Sequence, residues 1–337
     1  MPIPLPSGTK KTAHRLLADL ARGAPVADIY HESATWVGSH PFGTVSGHGA
    51  IAAIWADLRA ALPDMERRDL IFVGGENQDD PRLTTWRAPH MVAAIGHLQG
   101  TFAADYHGIP ATHGAVHLRY AEGHFIEHGR IRQSWVLFDL LDLMRQAGVW
   151  PLPASLGAEG MWPGPATQDG LRLTDRPEDR SDSLASVFKM HNALLSFDGK
   201  NLESMRHADY WTQNFMYYAG AGIGMMRGMA GFQAHHQIPF LRAFPDRGAR
   251  GHFIRISDGP YAVTGGTVFG THTGEIMGMT ATGRVIDMPV MDFYRLDETG
   301  RIAENWLPID VLGIAYQMGN DLLGRVRHYR GNPRRSL

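Results

Sequence analysis

Gly129-Arg130-Ile131, Trp135, Asp139, Leu141, Gln146 and Gly148 recur 171 residues later as Gly300-Arg301-Ile302, Trp306, Asp310, Leu312, Gln317 and Gly319. Upstream, Gly100-Thr101, Gly108 and Ala111-Thr112 return as Gly270-Thr271, Gly278 and Ala281-Thr282 at an offset of 170. Gly49 and Pro63-Asp64 return as Gly231 and Pro245-Asp246 at an offset of 182. A collinear series whose offset changes only where loops would change length marks a tandem duplication. Each copy then amounts to one domain of roughly 140 to 150 residues, an ordinary domain size. The repeat predicts a first domain at 9–150, a Pro/Gly-rich linker at 151–183, a second domain at 184–325 and a basic tail at 326–337.

With 337 residues, 44% hydrophobic and 20% charged, the chain can bury two cores. A formal charge of −2 provides no basic face for nucleic acid. No run of about 18 apolar residues suggests a membrane span, and the prolines of Met1-Pro2-Ile3-Pro4-Leu5-Pro6 leave no apolar core for a signal peptide. The expected location is the cytoplasm. The absence of cysteine excludes disulfides and thiol nucleophiles. Among the 18 histidines, His113 and His117 would share a strand face with His107 nearby, but exposed strand and loop histidines are the simpler reading, and no metal is expected.

In the first copy, apolar spacing predicts helices at 11–22 and 47–62, then strands at 70–74, 83–86, 91–100, 115–120 and 131–138. The second copy repeats the plan, with helices at 184–195 and 231–244, strands at 249–256, 261–271, 284–296 and 302–308, and a last helix at 311–318. Helices followed by a long antiparallel sheet give an α+β class. The glycine- and methionine-rich segment Gly220–Met229 reads as a flexible pocket lid, since neither a lysine nor a preceding strand supports a phosphate loop.

The run Gly270-Thr271-His272-Thr273-Gly274-Glu275, followed by Gly278, Ala281-Thr282-Gly283-Arg284, Gly300-Arg301-Ile302, Glu304, Trp306, Asp310, Gln317 and Gly319, resembles the SnoaL-like polyketide cyclase family of the NTF2-like superfamily. The resemblance covers most of 184–325 and extends to 9–150 through the repeat. It implies two NTF2-like cones, each a curved sheet wrapped by helices around an apolar pocket, packed as an internal pseudo-dimer. It also implies acid/base chemistry on a small, largely apolar carbonyl compound without a cofactor, of aldol cyclase, isomerase or dehydratase type. By residue match the acid/base aspartate falls on Asp310, and on Asp139 in the first copy.

Removing a proton next to a carbonyl needs a desolvated base and a donor at the developing enolate oxygen. His272 is the expected partner of Asp310, with Trp306, Tyr217, Tyr218, Trp135 and Asp139 around the pockets. The first copy carries Phe102 in place of His272, which favours the second copy as the active one. Equally open at this stage, Asp310 and Asp139 are N-caps of the helices they precede, Trp306 is core, and His272 is a satisfied strand histidine. The alternative function is a non-catalytic small-ligand-binding or assembly module. The expected partners are a small hydrophobic substrate and a second copy of the chain, in a homodimer of pseudo-dimers.

Overall fold

The computed structural model describes residues 5–83, 88–174 and 183–329. In the first domain, α1 (Thr9–Ala21) and α2 (Val26–Ile29) lead into β1 (Tyr30–Gly38), β2 (Gly43–Ser46) and α3 (His48–Ala61). The meander β3 (Glu66–Glu76), β4 (His90–Thr101), β5 (Ala115–Glu127) and β6 (Arg130–Phe138) follows, ending in α4 (Leu140–Gln146). The second domain repeats this with α5 (Ser183–Leu194), α6 (His207–Tyr210), β7 (Trp211–Ala219), β8 (Met225–Arg227), α7 (Gly228–Phe232) and α8 (Ile238–Ala243). It closes with β9 (Gly248–Asp258), β10 (Tyr261–Thr271), β11 (Val285–Leu296), β12 (Ile302–Leu307), α9 (Val311–Gln317) and α10 (Leu322–Tyr329). The strand predicted at 83–86 falls mostly on residues outside the described ones, as do Arg330, Arg334 and Arg335 of the tail.

The two six-stranded sheets have matching orders, β2-β1-β6-β5-β4-β3 and β8-β7-β12-β11-β10-β9. They are mixed, which corrects the expectation of an all-antiparallel sheet. β1 runs parallel to β6, and β7 parallel to β12, because the meander returns its last strand beside the strand that preceded it. β1 and β7 escape a periodicity reading because register shifts between Tyr30 and Thr35, and between Ile302 and Glu304, interrupt their pairing. The helix predicted at 231–244 is interrupted by a π turn at Gln233–Gln237. Pro239, just beyond it, has no N–H to continue the ladder.

Repeated residues pin the scaffold. The Asp64 carboxylate accepts from Thr101 N–H (2.6 Å) and Oγ1 (2.7 Å), and Asp246 accepts from Thr271 in the same way, at 2.7 and 2.6 Å. Gln146 accepts from His117 N–H and donates to its carbonyl, both at 2.8 Å, and Gln317 clamps Asp287 at 2.9 and 2.7 Å. Each final helix is thereby fastened to the strand beneath it.

The outer faces of the two sheets pack on each other. Ile71, Val73, Met91, Ile95 and Leu137 of the first share a buried cluster with Ile254, Ile256, Val263, Phe293 and Trp306 of the second. Trp135 stacks on Phe253 with centroids 4.7 Å apart. Asp258 of β9 crosses the contact to accept from Lys10 Nζ (2.8 Å), Gly74 N–H (3.1 Å) and Arg172 Nε (3.0 Å). The segment read as a linker packs onto both domains as far as it is described. The Trp162 indole donates to Ala219 carbonyl (3.1 Å), Trp306 donates to Pro163 carbonyl (3.1 Å), and Phe72 N–H donates to Gly170 carbonyl (2.8 Å). No described helix is long and apolar enough to cross a membrane.

Close approach of β3 and β9 requires a residue without a side chain at Gly75, where a Cβ would lie 2.6 Å from the Ser257 carbonyl oxygen. Gly75→Ala is expected to lower stability by about 1–3 kcal/mol, the range for overpacking. Denaturant titration checks this, and an unchanged midpoint would show that the sheet-to-sheet contact is looser than described.

Candidate active site

The structure holds Asp310 and His272 on separate partners. Asp310 is the N-cap of α9, its Oδ1 accepting from Gly313 N–H at 2.8 Å. Its Oδ2 accepts from His40 N–H of the first domain, also at 2.8 Å. Burial pushes this carboxyl up to about 6 against those two bonds. Asp139 is the pseudo-symmetric counterpart. It caps α4 through Asp142 N–H (3.0 Å), reaches across to Ala221 N–H (3.0 Å) and pairs with Arg119 at 2.7 Å. Both aspartates therefore cap a helix and tie the domains together. His272 lies at the end of β10, where Nδ1 meets Thr282 Oγ1 at 3.2 Å and the ring packs near Phe244. Asp310 lines a small cavity together with Arg119 and Asp139, and His272 is not part of its wall.

Trp306, Tyr218 and Trp135 belong to the packed outer faces, where Tyr218 stacks on Trp306 at 5.1 Å. Period two explains this, since β12 turns Trp306 outward and Asn305 inward. Tyr217 is the one proposed pocket residue that lines the large cavity of the second cone. Gly220–Gly224 is a tight turn rather than a lid over that cavity, with Gly224 packed against Gly157 and the following residues paired in β8. No group of three His, Asp or Glu side chains placed to hold a metal occurs among the described residues.

The second cone encloses a cavity of about 620 Å³ between the inner face of its sheet and α5, α7 and α8. Val290, Asp292 and Tyr294 of β11, Asn305 and Leu307 of β12, and Tyr217 of β7 face it, along with His191, His236 and Phe240 from the helical side. Asp292 is the carboxylate in this wall. Asn305 Nδ2 donates to its Oδ1 at 3.2 Å, and burial pushes it up to about 7, further than the hydrogen bonds from Asn305 and Tyr294 bring it down. The Tyr294 hydroxyl also meets His191 Nε2 at 3.1 Å, forming a chain from Asp292 through Tyr294 to His191. Burial lowers His191 to about 3 and His236 to about 4, so both imidazoles are neutral at pH 7. A half-buried carboxyl raised to about 7, with neutral donors around it, can accept and return a proton near neutral pH.

Asp292 lies outside both the repeated residues and the motif that carries the family resemblance, on which the expected site residues Asp310 and His272 fall. A signal was present, an acidic side chain in phase with Val290 and Tyr294 within the apolar run Met288-Pro289-Val290-Met291-Asp292-Phe293-Tyr294.

In the first cone the matching positions fill the space. Trp55 and Phe138 stand, at the repeat offsets, where the second cone has Gln237 and Ile309, and Trp36 pairs with Ser134 as Tyr217 does with the matching Asn305; all three of these first-cone aromatics are buried. Trp55 and Phe138 meet edge to face at 6.2 Å. Glu122 stands where Asp292 does, but Arg67 in place of Ala249 pairs with it and with Asp69. Burial alone would raise both carboxyls, yet Arg67, helped by His124 at Glu122 and His14 at Asp69, holds them below their usual values. Such acids are held in the ionised form by the arginine beside them.

The second domain is an α+β cone whose mixed sheet folds around a mainly apolar cavity with one raised carboxyl, and the first is the same cone filled by its own side chains. The SnoaL-like polyketide cyclase family model matches residues 85–147 and 189–318, and the chain belongs to that family. A search of curated proteins found no match. Solved structures similar to this chain include a candidate SnoaL-like polyketide cyclase from Jannaschia sp. CCS1, 17% identical, covering 43% of this chain and 96% of its own, with a TM-score of 0.36. A candidate polyketide cyclase from Acidithiobacillus ferrooxidans is 22% identical over 42% of this chain and 96% of its own, with a TM-score of 0.34. IdmH, a candidate polyketide cyclase from Streptomyces antibioticus, is 18% identical over 42% and 99%, with a TM-score of 0.33.

Two stability effects follow from these assignments. Arg67→Ala strands Glu122 and Asp69 in the first cone and is expected to cost roughly 3–5 kcal/mol, as breaking a buried ion pair does. Asp310→Ala removes a helix cap and leaves His40 N–H unpaired, costing about 1–3 kcal/mol. Chemical denaturation measures both, and a change within about 0.5 kcal/mol in either variant would refute its structural role.

Proposed function

We propose that the second cone is the active site of an acid/base enzyme acting on a small carbonyl compound, with Asp292 as the proton carrier. The observation that carries this reading is the Asp292 carboxyl, set in the wall of a largely apolar cavity and raised to about 7. Membership of the SnoaL-like family supports the reaction class, for which intramolecular aldol cyclisation is the leading expectation. The carboxylate removes a proton from the carbon next to a carbonyl, while Tyr217 or a neutral histidine donates a hydrogen bond to the enolate oxygen. The enolate carbon then attacks a second carbonyl of the same molecule, and the resulting alkoxide takes up a proton, returned from Asp292. No net proton is consumed. Isomerisation or dehydration would use the same carrier.

In this reading Asp310 and His272 serve the scaffold, and the first cone is a filled partner that backs the sheet of the second in an internal pseudo-dimer. The ligand is a small compound with substantial apolar surface, matched to the aromatic and aliphatic wall. Association of two such chains into a homodimer is part of the proposal, and light scattering would test it.

The test is α-proton exchange in deuterated water on a panel of aryl ketones and 1,3-diketones, followed by NMR. The wild type is expected to accelerate exchange of at least one, with a rate that rises with pH through about 7. Asp292→Asn should lose roughly 10²- to 10⁴-fold, the usual contribution of a general base, while Asp310→Asn retains most of the activity. Full exchange activity in Asp292→Asn would sink the mechanism.

Stability supplies a second readout. Below about pH 4, Asp292 is protonated both folded and unfolded, whereas between about 4 and 7 the unfolded chain releases its proton first. Stability therefore falls across that window as pH rises, by at most about 4 kcal/mol. Asp292→Asn removes that part of the slope and is expected to be more stable than wild type at pH 8. An identical pH dependence of the unfolding midpoint in the two proteins would show that Asp292 titrates as an ordinary exposed aspartate.

A further inference from the structure

The cavity of the second cone has a second pole that proton transfer at Asp292 does not use. Arg247, immediately before β9, lines the cavity and is half-buried. Its side chain meets the Met205 sulfur at 3.9 Å, a weak acceptor, and no carboxylate among the described residues lies within ion-pair reach of it. The neighbouring acid in sequence, Asp246, is committed to Thr271 through both oxygens. The titratable side chains of the wall nearby, His207 and His236, are both lowered to about 4 by burial and by the Arg247 charge, so they are neutral and offer it no countercharge. Burial also lowers Arg247 itself, the mark of a guanidinium held out of water without compensation.

The two other arginines of the wall are already engaged. Arg82 reaches over from the first domain and is held by Asp80 through Nε (2.9 Å) and Nη2 (2.6 Å). Arg255 donates to the Asp79 carbonyl and lies over the Phe188 ring at 4.2 Å. At the repeat offset of 182, Met65 of the filled cone stands where Arg247 stands in the open one, and Arg67 stands where Ala249 does. The filled cone thus turns inward an arginine paired with two acids, and the open cone presents one that pairs with no carboxylate among the described residues.

We propose that the ligand of the second cone carries a carboxylate, which Arg247 receives, while the remainder of the molecule lies along the apolar wall towards Asp292. This rests on the reading of that cavity as the substrate site and adds the ligand's charge and orientation. A single uncommitted guanidinium matches a monoanionic carboxylate, whose two oxygens fit its fork of N–H donors. The same charge disfavours the reverse orientation, which would place the ligand's carboxylate against the Asp292 carboxyl in a medium of low polarity. The substrate class is therefore an oxo acid, with its acid group at one end and its enolisable carbon towards the other.

The test uses phenylacetate and its neutral counterpart phenylacetamide as probes of the full chain, titrated by calorimetry. The wild type is expected to bind phenylacetate at least tenfold more tightly than the amide. Arg247→Gln should abolish that preference while keeping the amide affinity, which shows that the cone is still folded, and Arg247→Lys should restore part of it. Equal binding of acid and amide by the wild type, no binding of phenylacetate at millimolar concentration, or an acid preference that survives in Arg247→Gln each overturns the proposal. Asp292→Asn is measured in parallel and should retain the acid preference. Loss of exchange in Asp292→Asn without any acid preference in the wild type would leave the proton-transfer reading standing and remove only the anion site. The converse pattern would remove proton transfer and leave a carboxylate-binding cone.

Discussion

Each six-stranded sheet in this protein is apolar on both faces, and the architecture follows from the need to bury them both. The outer faces are buried against each other, with Ile71, Val73 and Ile95 meeting Ile254, Ile256 and Phe293. At about 25 cal/mol per Å² of apolar surface, this face-to-face contact is a major stabilising contribution to either domain. It also fixes the outward register of β12, so that Trp306 belongs to the contact and Asn305 to the cavity. The inner faces are left to the helices, and there the copies diverge. One fills its cone with Trp36, Trp55, Phe138 and a buried ion pair, while the other keeps a cavity of about 620 Å³.

The repeat made the scaffold legible. Gln146 and Gln317, Asp64 and Asp246, and Asp139 and Asp310 recur because each pair performs the same backbone task in both domains. For the same reason the repeat was a poor guide to chemistry. Residues present in both copies hold the fold in both, whereas the features that make one cone reactive are differences between them. Ala249 against Arg67, Arg247 against Met65 and Tyr217 against Trp36 read as ordinary drift until the sheets show that all three pairs concern the cone interior. The parallel pairing of β1 with β6 was hidden because the bulge after Tyr30 destroys the alternation that marks a strand. The π turn at Gln233–Gln237 was hidden inside a helical pattern whose spacing it barely alters.

Electrostatics divide the two cones as sharply as packing does. Glu122 of the first and Asp292 of the second occupy matching places on matching strands, yet one is held below its usual value and the other is raised to about 7. The difference comes from neighbours rather than from depth. Arg67 neutralises the first carboxylate, whereas Asp292 has an amide, a phenol and hydrocarbon around it. Burial without a countercharge is the condition that brings a carboxyl into the range where it can both take and return a proton at neutral pH. The same condition, with the sign reversed, describes Arg247 in the wall of that cavity. One cavity thus holds a half-buried carboxyl and a half-buried guanidinium that are not paired with each other, an arrangement that folding alone would not favour.

The proposed site depends on Asp292 titrating near neutrality because it faces an apolar cavity. The most direct measurement is the ¹³Cγ chemical shift of Asp292 across pH 3 to 10 in protein labelled at aspartate, with Asp292→Asn identifying the resonance. A midpoint near 7 is predicted. A midpoint near the ordinary aspartate value of about 4 would show that the carboxyl is solvated or paired, and would contradict the account of the site.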